Sequence, residues 1–327
     1  MSKPTEARRS ATSWKAATAI AALASLAALP QSAIAGEGGT THIIPGATAT
    51  LADLPGTAPA WFAKPMLMKY HGKASARIPT AVGLTTNLDA NATTFAVAVG
   101  RTFEQTVLEG AHYTAAVALP YTWLDISADV PLPGGGSAGQ SNSVSGFGDM
   151  AIVPVMLAWK KDDWQIDAML PIFAPTGNYQ KGRLGNTGLN YWTFDPTVGG
   201  IYSNKKTGFN AMAHLGFAIN TENSDTQYKS GSMLHLEAVV QQMMPMGKGI
   251  LTFGAEGFWF EQVSGDSGAG ATLGDFKGRT AGLGPLVGYI LPMGKEQLVL
   301  ELKWLAEIET KKRLEGNYVW LKAVYKF

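Results

Sequence analysis

Five histidines and two serine motifs are the residues of this 327-residue chain whose types could support catalysis or metal binding. Residues 135–139 have the Gly-x-Ser-x-Gly form of a hydrolase nucleophile, but no helical pattern follows, so the strand-to-helix turn that the motif needs is missing. Residues 265–268 resemble a serine protease nucleophile segment, yet Ala269 stands where the next glycine would be. The histidines have no metal-ligand spacing, and the chain has no cysteine. We therefore predict no enzymatic activity, no metal site and no cofactor.

The composition restricts the class of protein further. Hydrophobic residues make up 46% of the chain and charged residues only 16%, so enough apolar mass is present to exclude disorder. The formal net charge of +1 gives no basic surface for a nucleic-acid partner. After the first few dozen residues, no apolar run is long enough for a membrane-spanning helix.

Period-two alternation of apolar and polar residues dominates the chain after residue 65, which indicates strands. In 297–307, Leu300, Leu302 and Trp304 share one face, while Glu301 and Lys303 share the other. Short turns and long polar loops alternate along the chain, as they do in outer-membrane barrels. We predict an all-β fold, a transmembrane antiparallel up-and-down barrel of about twelve strands with short periplasmic turns and long extracellular loops. The predicted strands lie near 66–78, 92–103, 111–124, 147–160, 163–174, 191–203, 208–220, 228–243, 249–262, 279–291, 296–308 and 316–327.

The polar face of each strand is predicted to point into the lumen. A charge facing lipid at the bilayer midplane would cost roughly 2–4 kcal/mol, which favours inward placement. These side chains could contact a solute or could simply pair with one another, as Glu301 and Lys303 could. The candidates for solute contact are His112, Asp167, His214, His235, Glu237, Glu256, Glu301 and Lys303.

Residues 1–35 have the pattern of a cleaved signal peptide, with a basic start, an Ala/Leu-rich stretch over 16–29 and a small-x-small site at 33–35. This pattern predicts export. The next segment, 36–65, is rich in glycine and proline and is predicted to be irregular, either as a periplasmic tail or as a lumen plug. Residues 66–327 would form the barrel, located in the bacterial outer membrane and surrounded by its lipids.

The last strand carries the most specific local pattern. Phe327 is the final residue, Tyr325 and Val319 share its face, and Lys322 and Lys326 take the other. This arrangement resembles the C-terminal signal of bacterial outer-membrane barrels. The resemblance implies recognition of Phe327 and Tyr325 by the barrel-assembly machinery.

Several short stretches resemble one family of bacterial outer-membrane proteins. They include Gly-Phe-Gly-Asp-Met at 146–150, Pro-Thr-Gly-Asn-Tyr at 175–179 and Asn-Thr-Gly-Leu-Asn-Tyr-Trp at 186–192. The segments are similar to those of the family labelled "putative MetA-pathway of phenol degradation". The resemblance implies an outer-membrane barrel associated with handling aromatic compounds, and it supplies no catalytic residues. The loop over 175–192 could fold inward as a constriction, for which the candidates are Pro175, Gly177, Tyr179, Asn190 and Trp192.

These patterns together predict a non-catalytic outer-membrane channel that passes or binds small apolar or aromatic solutes. Two alternatives stay open. The first is an outer-membrane lipid hydrolase, which would need a serine and a histidine near one membrane rim, such as Ser137 and His112. The second is a surface-structural or adhesive barrel that acts through its loops.

Overall fold

The computed structural model describes residues 40–75, 78–80, 83–132, 134–272 and 276–327, and their regular structure consists of strands alone. The predicted signal peptide lies outside the described residues. Within those residues, no helix is long and apolar enough to cross a membrane. The strands are β1 Ala60–Ala74, β2 Ile78–Thr80, β3 Gly83–Val107, β4 Ala111–Pro131, β5 Ser137–Phe147, β6 Met150–Lys161, β7 Trp164–Met169, β8 Ile172–Ala174, β9 Thr193–Phe194, β10 Thr197–Ser203, β11 Phe209–Asn220, β12 Met233–Met246, β13 Gly249–Gln262, β14 Arg279–Met293, β15 Glu296–Lys311 and β16 Glu315–Lys326.

The strands form one closed antiparallel barrel with twelve positions around its wall. Strands β5 and β6 follow one another along β4, and the pairs β7 with β8 and β9 with β10 likewise each fill one position. The first and last strands pair, with Phe62 opposite Lys326 and Tyr70 opposite Tyr318, so the sheet closes on itself. The prediction of an all-β barrel of about twelve strands is confirmed.

The two faces of the wall differ as the alternation predicts. On β15, Leu300, Leu302 and Trp304 point outward and are exposed, whereas Glu301 and Lys303 point inward and are buried. Short turns, such as 162–163 and 294–295, connect strands at one rim of the barrel. Longer connections, such as 175–192 and 221–232, gather at the opposite rim. This segregation is typical of barrels that span an outer membrane.

Two segments differ from the sequence-based expectation. The stretch between the predicted strands 111–124 and 147–160 contains a hairpin made by the ends of β4 and β5. Strands that extend beyond the membrane into water need no apolar outer face. Polar residues can therefore form a strand pair there without the apolar–polar alternation that predicts a strand from sequence. The first strand begins at Ala60 rather than at residue 66, because Pro65 is accommodated opposite Val97 of β3 while the ladder to β16 skips Lys64 and Pro65.

Candidate functional site

Residues 40–59 lie inside the barrel rather than beneath it. The backbone amides of Gly46 and Thr48 donate to the Glu237 carboxylate over 2.8 and 3.0 Å. The Trp320 indole donates to the Pro45 carbonyl over 3.0 Å, and the Lys322 ammonium donates to the Gly46 carbonyl over 2.7 Å. Inward side chains of β12 and β16 thereby satisfy the backbone polar groups of an irregular segment that has no ladder of its own.

An ionic cluster anchors this segment near its periplasmic end. Lys322 lies 2.6 Å from one Asp53 oxygen, and Lys64 lies 3.0 Å from the other. The Thr50 hydroxyl, which is within hydrogen-bonding distance of both Asp53 and Glu301, links the anchor to the wall. Buried charges of this kind are stable only when they are paired and hydrogen-bonded.

The Asp53 carboxyl is held in its charged form by this environment. Burial alone raises its pKa, but the ammonium groups of Lys322 and Lys64 outweigh burial and hold the pKa well below its usual range. Since the folded-state pKa is lower than the unfolded value, the anchor contributes fully at neutral pH. Its contribution is lost only as the pH falls through the folded-state pKa.

Five of the predicted lumen residues pair with one another on the wall. Lys303 lies 2.8 Å from Glu256 and 3.6 Å from Glu301, so the predicted proximity of Glu301 and Lys303 is observed. His214 contacts Asp167 over 2.8 Å, and these two side chains meet across β10.

A second histidine–carboxylate pair joins His235 to Asp195 over 2.8 Å. Asp195 is not among the sequence-based candidates, because it lies between two short strands where no alternation can be seen. His112 is half-buried on β4, close to the turn at 108–110, with its Nδ1 atom buried and unpartnered.

Gly199 makes the contact between His214 and Asp167 possible. A Cβ atom at Gly199 would lie 2.3 Å from the His214 ring and 2.6 Å from the Asp167 carboxylate, whereas a Cβ at the next residue, Gly200, would meet nothing within 4 Å. We expect Gly199→Ala to lower the free energy of unfolding by about 1–3 kcal/mol through this overpacking. Gly200→Ala is the matched control and should change stability much less. Urea unfolding of the folded barrel in detergent measures both variants, and equal stabilities would contradict the expectation.

Asp149 is the hub at the extracellular end of the lumen. Its carboxylate accepts hydrogen bonds from the backbone amides of Gly177 and Leu189 over 2.8 and 2.6 Å. The Nε2 atom of His42 lies 2.8 Å from the same carboxylate. Asp149 therefore ties the loop at 175–192 and the start of the N-terminal segment to one point on the wall.

The His42 ring has a polar contact at each of its two nitrogen atoms. Thr193 donates its hydroxyl to the Asn220 amide oxygen over 2.6 Å, and the Asn220 amide nitrogen donates to two backbone carbonyls. His42 Nδ1 lies 2.7 Å from this Thr193 hydroxyl, and His42 Nε2 lies 2.8 Å from the Asp149 carboxylate. Contacts at both ring nitrogens therefore fix the orientation of the ring between Thr193 and Asp149.

A cavity of about 830 Å³ lies beside the N-terminal segment. It extends from the loop residues near Tyr179 and Leu189 to the turn at 294–295, and so from one rim to the other. The N-terminal segment contributes apolar groups such as Ile44 and Leu54. Small side chains on β3 and β4 leave the space open on the opposite side; they are Ala90, Ala92, Thr94, Ala96, Ala98, Ala116, Ala118 and Thr122.

The sequence-based candidates divide into two groups with respect to this cavity. None of the eight predicted lumen residues lines it. Most of them contact the N-terminal segment or another side chain of the wall instead. In the loop, Tyr179 lines the cavity and Gly177 is held by Asp149, close to Pro175. Asn190 donates to Asn223 over 2.8 Å, and Trp192 points outward.

The residues of the alternative hydrolase site lie far apart. Ser137 is opposite Pro131 at the extracellular end of β4, and His112 is near the periplasmic end of the same strand. Nineteen residues of extended strand separate their register positions, which corresponds to about 60 Å. Within the described residues, no group of three or more acidic or histidine side chains is arranged to hold a metal ion.

The family model described as "Putative MetA-pathway of phenol degradation" matches residues 73–323. This chain belongs to that family. The family resemblance seen in the sequence is thereby confirmed. A comparison with curated proteins found no match.

The fold of this chain is similar to that of a solved outer-membrane channel. The COG4313 outer membrane channel from Pseudomonas putida F1 is 14% identical, with a TM-score of 0.60, 88% of this chain covered and 100% of that chain. The β domain of the Bordetella autotransporter BrkA is 14% identical, with a TM-score of 0.45, and 83% and 99% covered. A Pseudomonas aeruginosa FadL homologue is 11% identical, with a TM-score of 0.37, and 91% and 97% covered. The likeness to the COG4313 channel shows that this MetA-pathway family member has the fold of an outer-membrane barrel.

Proposed function

We propose that this MetA-pathway family member is an outer-membrane channel that passes small apolar or aromatic solutes by diffusion, without covalent chemistry. The cavity of about 830 Å³, which extends from the loop rim to the turn rim, is the observation that carries the proposal. Its volume lies within the range of about 300–1,000 Å³ that is usual for sites of small organic molecules.

The exterior supports a location in the outer membrane. Large apolar side chains such as Val99, Leu119 and Leu302 are exposed on the outer wall, where lipid would cover them. The predicted signal peptide provides export, and Phe327 with Tyr325 provides the predicted contact for the barrel-assembly machinery. In the folded barrel, Phe327 exchanges backbone hydrogen bonds with Trp61, so this terminal residue completes the closure.

The lining favours an apolar solute over a hydrated ion. Alanine and threonine side chains form most of one wall. Most of the carboxylates that line the cavity already have a basic or hydrogen-bonding partner in the protein. Asp53 pairs with lysines, Asp149 with His42 and loop amides, and Asp195 with His235. Between the charged groups at its two ends, a solute would therefore meet mainly methyl groups and neutral oxygens, which suit an aromatic ring.

Uptake into vesicles tests the proposal. Vesicles whose outer leaflet is lipopolysaccharide slow the passive diffusion of apolar molecules, so a protein-dependent route becomes measurable. With the protein reconstituted, labelled benzyl alcohol should enter faster than into protein-free vesicles of the same composition. Equal rates would contradict the proposal.

A further inference from the structure

The cavity is lined by four acidic and four basic side chains, but not every basic side chain has an acidic partner. Its acidic groups Asp53, Asp149 and Asp195 each have a cationic or histidine partner. At the periplasmic turn, Lys295 and Glu296 are adjacent, exposed and opposite in charge. Among the described residues, two further cations line the cavity without any salt bridge, and they are Arg183 and Lys326.

Arg183 and Lys326 lie at opposite ends of the cavity. Arg183 lies in the extracellular loop, where its guanidinium donates to the side-chain oxygen of Asn186 over 2.9 and 2.7 Å, a neutral acceptor. Lys326 is half-buried on β16 at the periplasmic end. A cation without an acidic partner favours an anion at its end of the cavity over a second cation.

Lys326 has neighbours on both adjacent strands that also line the cavity. Lys326 stands opposite Phe62 on β1 and opposite Gln297 on β15, and both of these residues also line the cavity. Lys64 is two residues from Phe62 on the same inward face, so its backbone is about 7–8 Å diagonally from that of Lys326. The Lys64 ammonium already binds Asp53 over 3.0 Å, and its remaining donors can face a ligand held by Lys326.

An apolar platform lies directly beside these lysines. The Phe62 ring lies over Gly100, where a Cβ atom would be only 2.4 Å from the ring, so the glycine makes room for the aromatic side chain. The small-residue wall of β3 and β4 continues from this point along the cavity. An anion bound at Lys326 would therefore have space for a flat apolar body against Phe62 and the alanines.

We propose that Lys326 and Lys64 form an anion subsite at the periplasmic end of the cavity, which takes the carboxylate of an amphipathic solute with an aromatic body. This inference rests on the proposed function and specifies the solute class. An amide at Gln297 adds a neutral donor to the subsite. The channel would then favour aromatic carboxylates over neutral aromatic molecules of the same size.

Equilibrium dialysis of the purified full chain in detergent tests the subsite, with benzoate as the anionic probe and benzyl alcohol as the neutral one. Lys326→Gln should weaken benzoate binding about tenfold, the effect of one charge-assisted contact, and leave benzyl alcohol binding unchanged. Lys326→Arg should retain benzoate binding, which shows that the charge matters. Lys206→Gln, at an exposed lysine of the turn after β10, is the matched control and should behave as the wild type.

Each alternative outcome counts against the subsite. Equal benzoate affinity in the wild type and the Lys326→Gln variant would overturn it, provided that both migrate as folded barrels on unheated gels. Inorganic phosphate that displaces labelled benzoate as well as unlabelled benzoate does would overturn the requirement for an aromatic body. If benzyl alcohol enters vesicles through the protein but benzoate does not bind, the proposed function stands and the subsite fails. If protein-dependent uptake is absent as well, the proposed function fails independently.

Discussion

Asp53→Asn is expected to release the N-terminal segment from the wall, to raise the ionic conductance of the barrel and to destabilise the fold by about 3–5 kcal/mol. The substitution leaves the Lys322 ammonium, which is buried, without the carboxylate that lies 2.6 Å away. It also removes the partner of Lys64. An uncompensated buried charge is costly, so the segment would leave the lumen or the lysine would draw water in.

Two comparisons make the measurement specific to this anchor. The double variant Asp53→Asn with Lys322→Met removes both charges and should recover part of the lost stability. Asp89→Asn breaks an ion pair of 2.9 Å with Lys73 that is exposed, and it should cost no more than about 1 kcal/mol. Conductance in planar bilayers and urea unfolding report the two effects. An Asp53→Asn variant as stable and as conductive as Asp89→Asn would contradict the role of the anchor.

Asp149→Ala is expected to detach the extracellular loop, since three hydrogen bonds converge on this one carboxylate. The amides of Gly177 and Leu189 would lose their acceptor, and His42 would lose its hydrogen-bond partner at Nε2. A buried donor left without a partner costs about 1–3 kcal/mol, so loss of the loop conformation would relieve several such costs. Cleavage by added trypsin after Lys181 and Arg183 should become much faster.

Asp125→Ala is the control for this prediction. Asp125 is an exposed carboxylate on β4 near the same end of the barrel. Its substitution should leave the rate of cleavage at Lys181 and Arg183 unchanged. Equal cleavage rates in Asp149→Ala and wild-type protein would show that Asp149 does not hold the loop.

The wall of the barrel could be predicted from the sequence because alternation is a local signal. Leu300, Glu301, Leu302 and Lys303 show in four residues which face meets lipid and which meets the lumen. The inward direction of the polar candidates follows from the same period. Their partners do not, because register between strands decides that His214 meets Asp167 across Gly199.

The parts that the sequence did not predict lie where alternation stops. Asp53 precedes β1, Asp149 lies between β5 and β6, and Asp195 lies between β9 and β10. No period-two pattern therefore marks these residues as inward-facing. Each acquires its role from a contact with a residue more than ten positions away, such as Lys322 for Asp53. The cavity likewise depends on which side of the lumen the N-terminal segment occupies, and glycine and proline content alone does not determine that choice.

A substituted-cysteine block of uptake tests most directly whether solute moves through the cavity. The chain has no cysteine, so a single introduced thiol is unique. Ala98 is buried on the cavity wall, whereas Val99, its neighbour on β3, is 42% exposed on the outer face. After labelling with a benzyl methanethiosulfonate, Ala98→Cys should lose most of its protein-dependent uptake of benzyl alcohol and regain it on reduction, and labelled Val99→Cys should be unaffected. Undiminished uptake by fully labelled Ala98→Cys would contradict passage through the cavity.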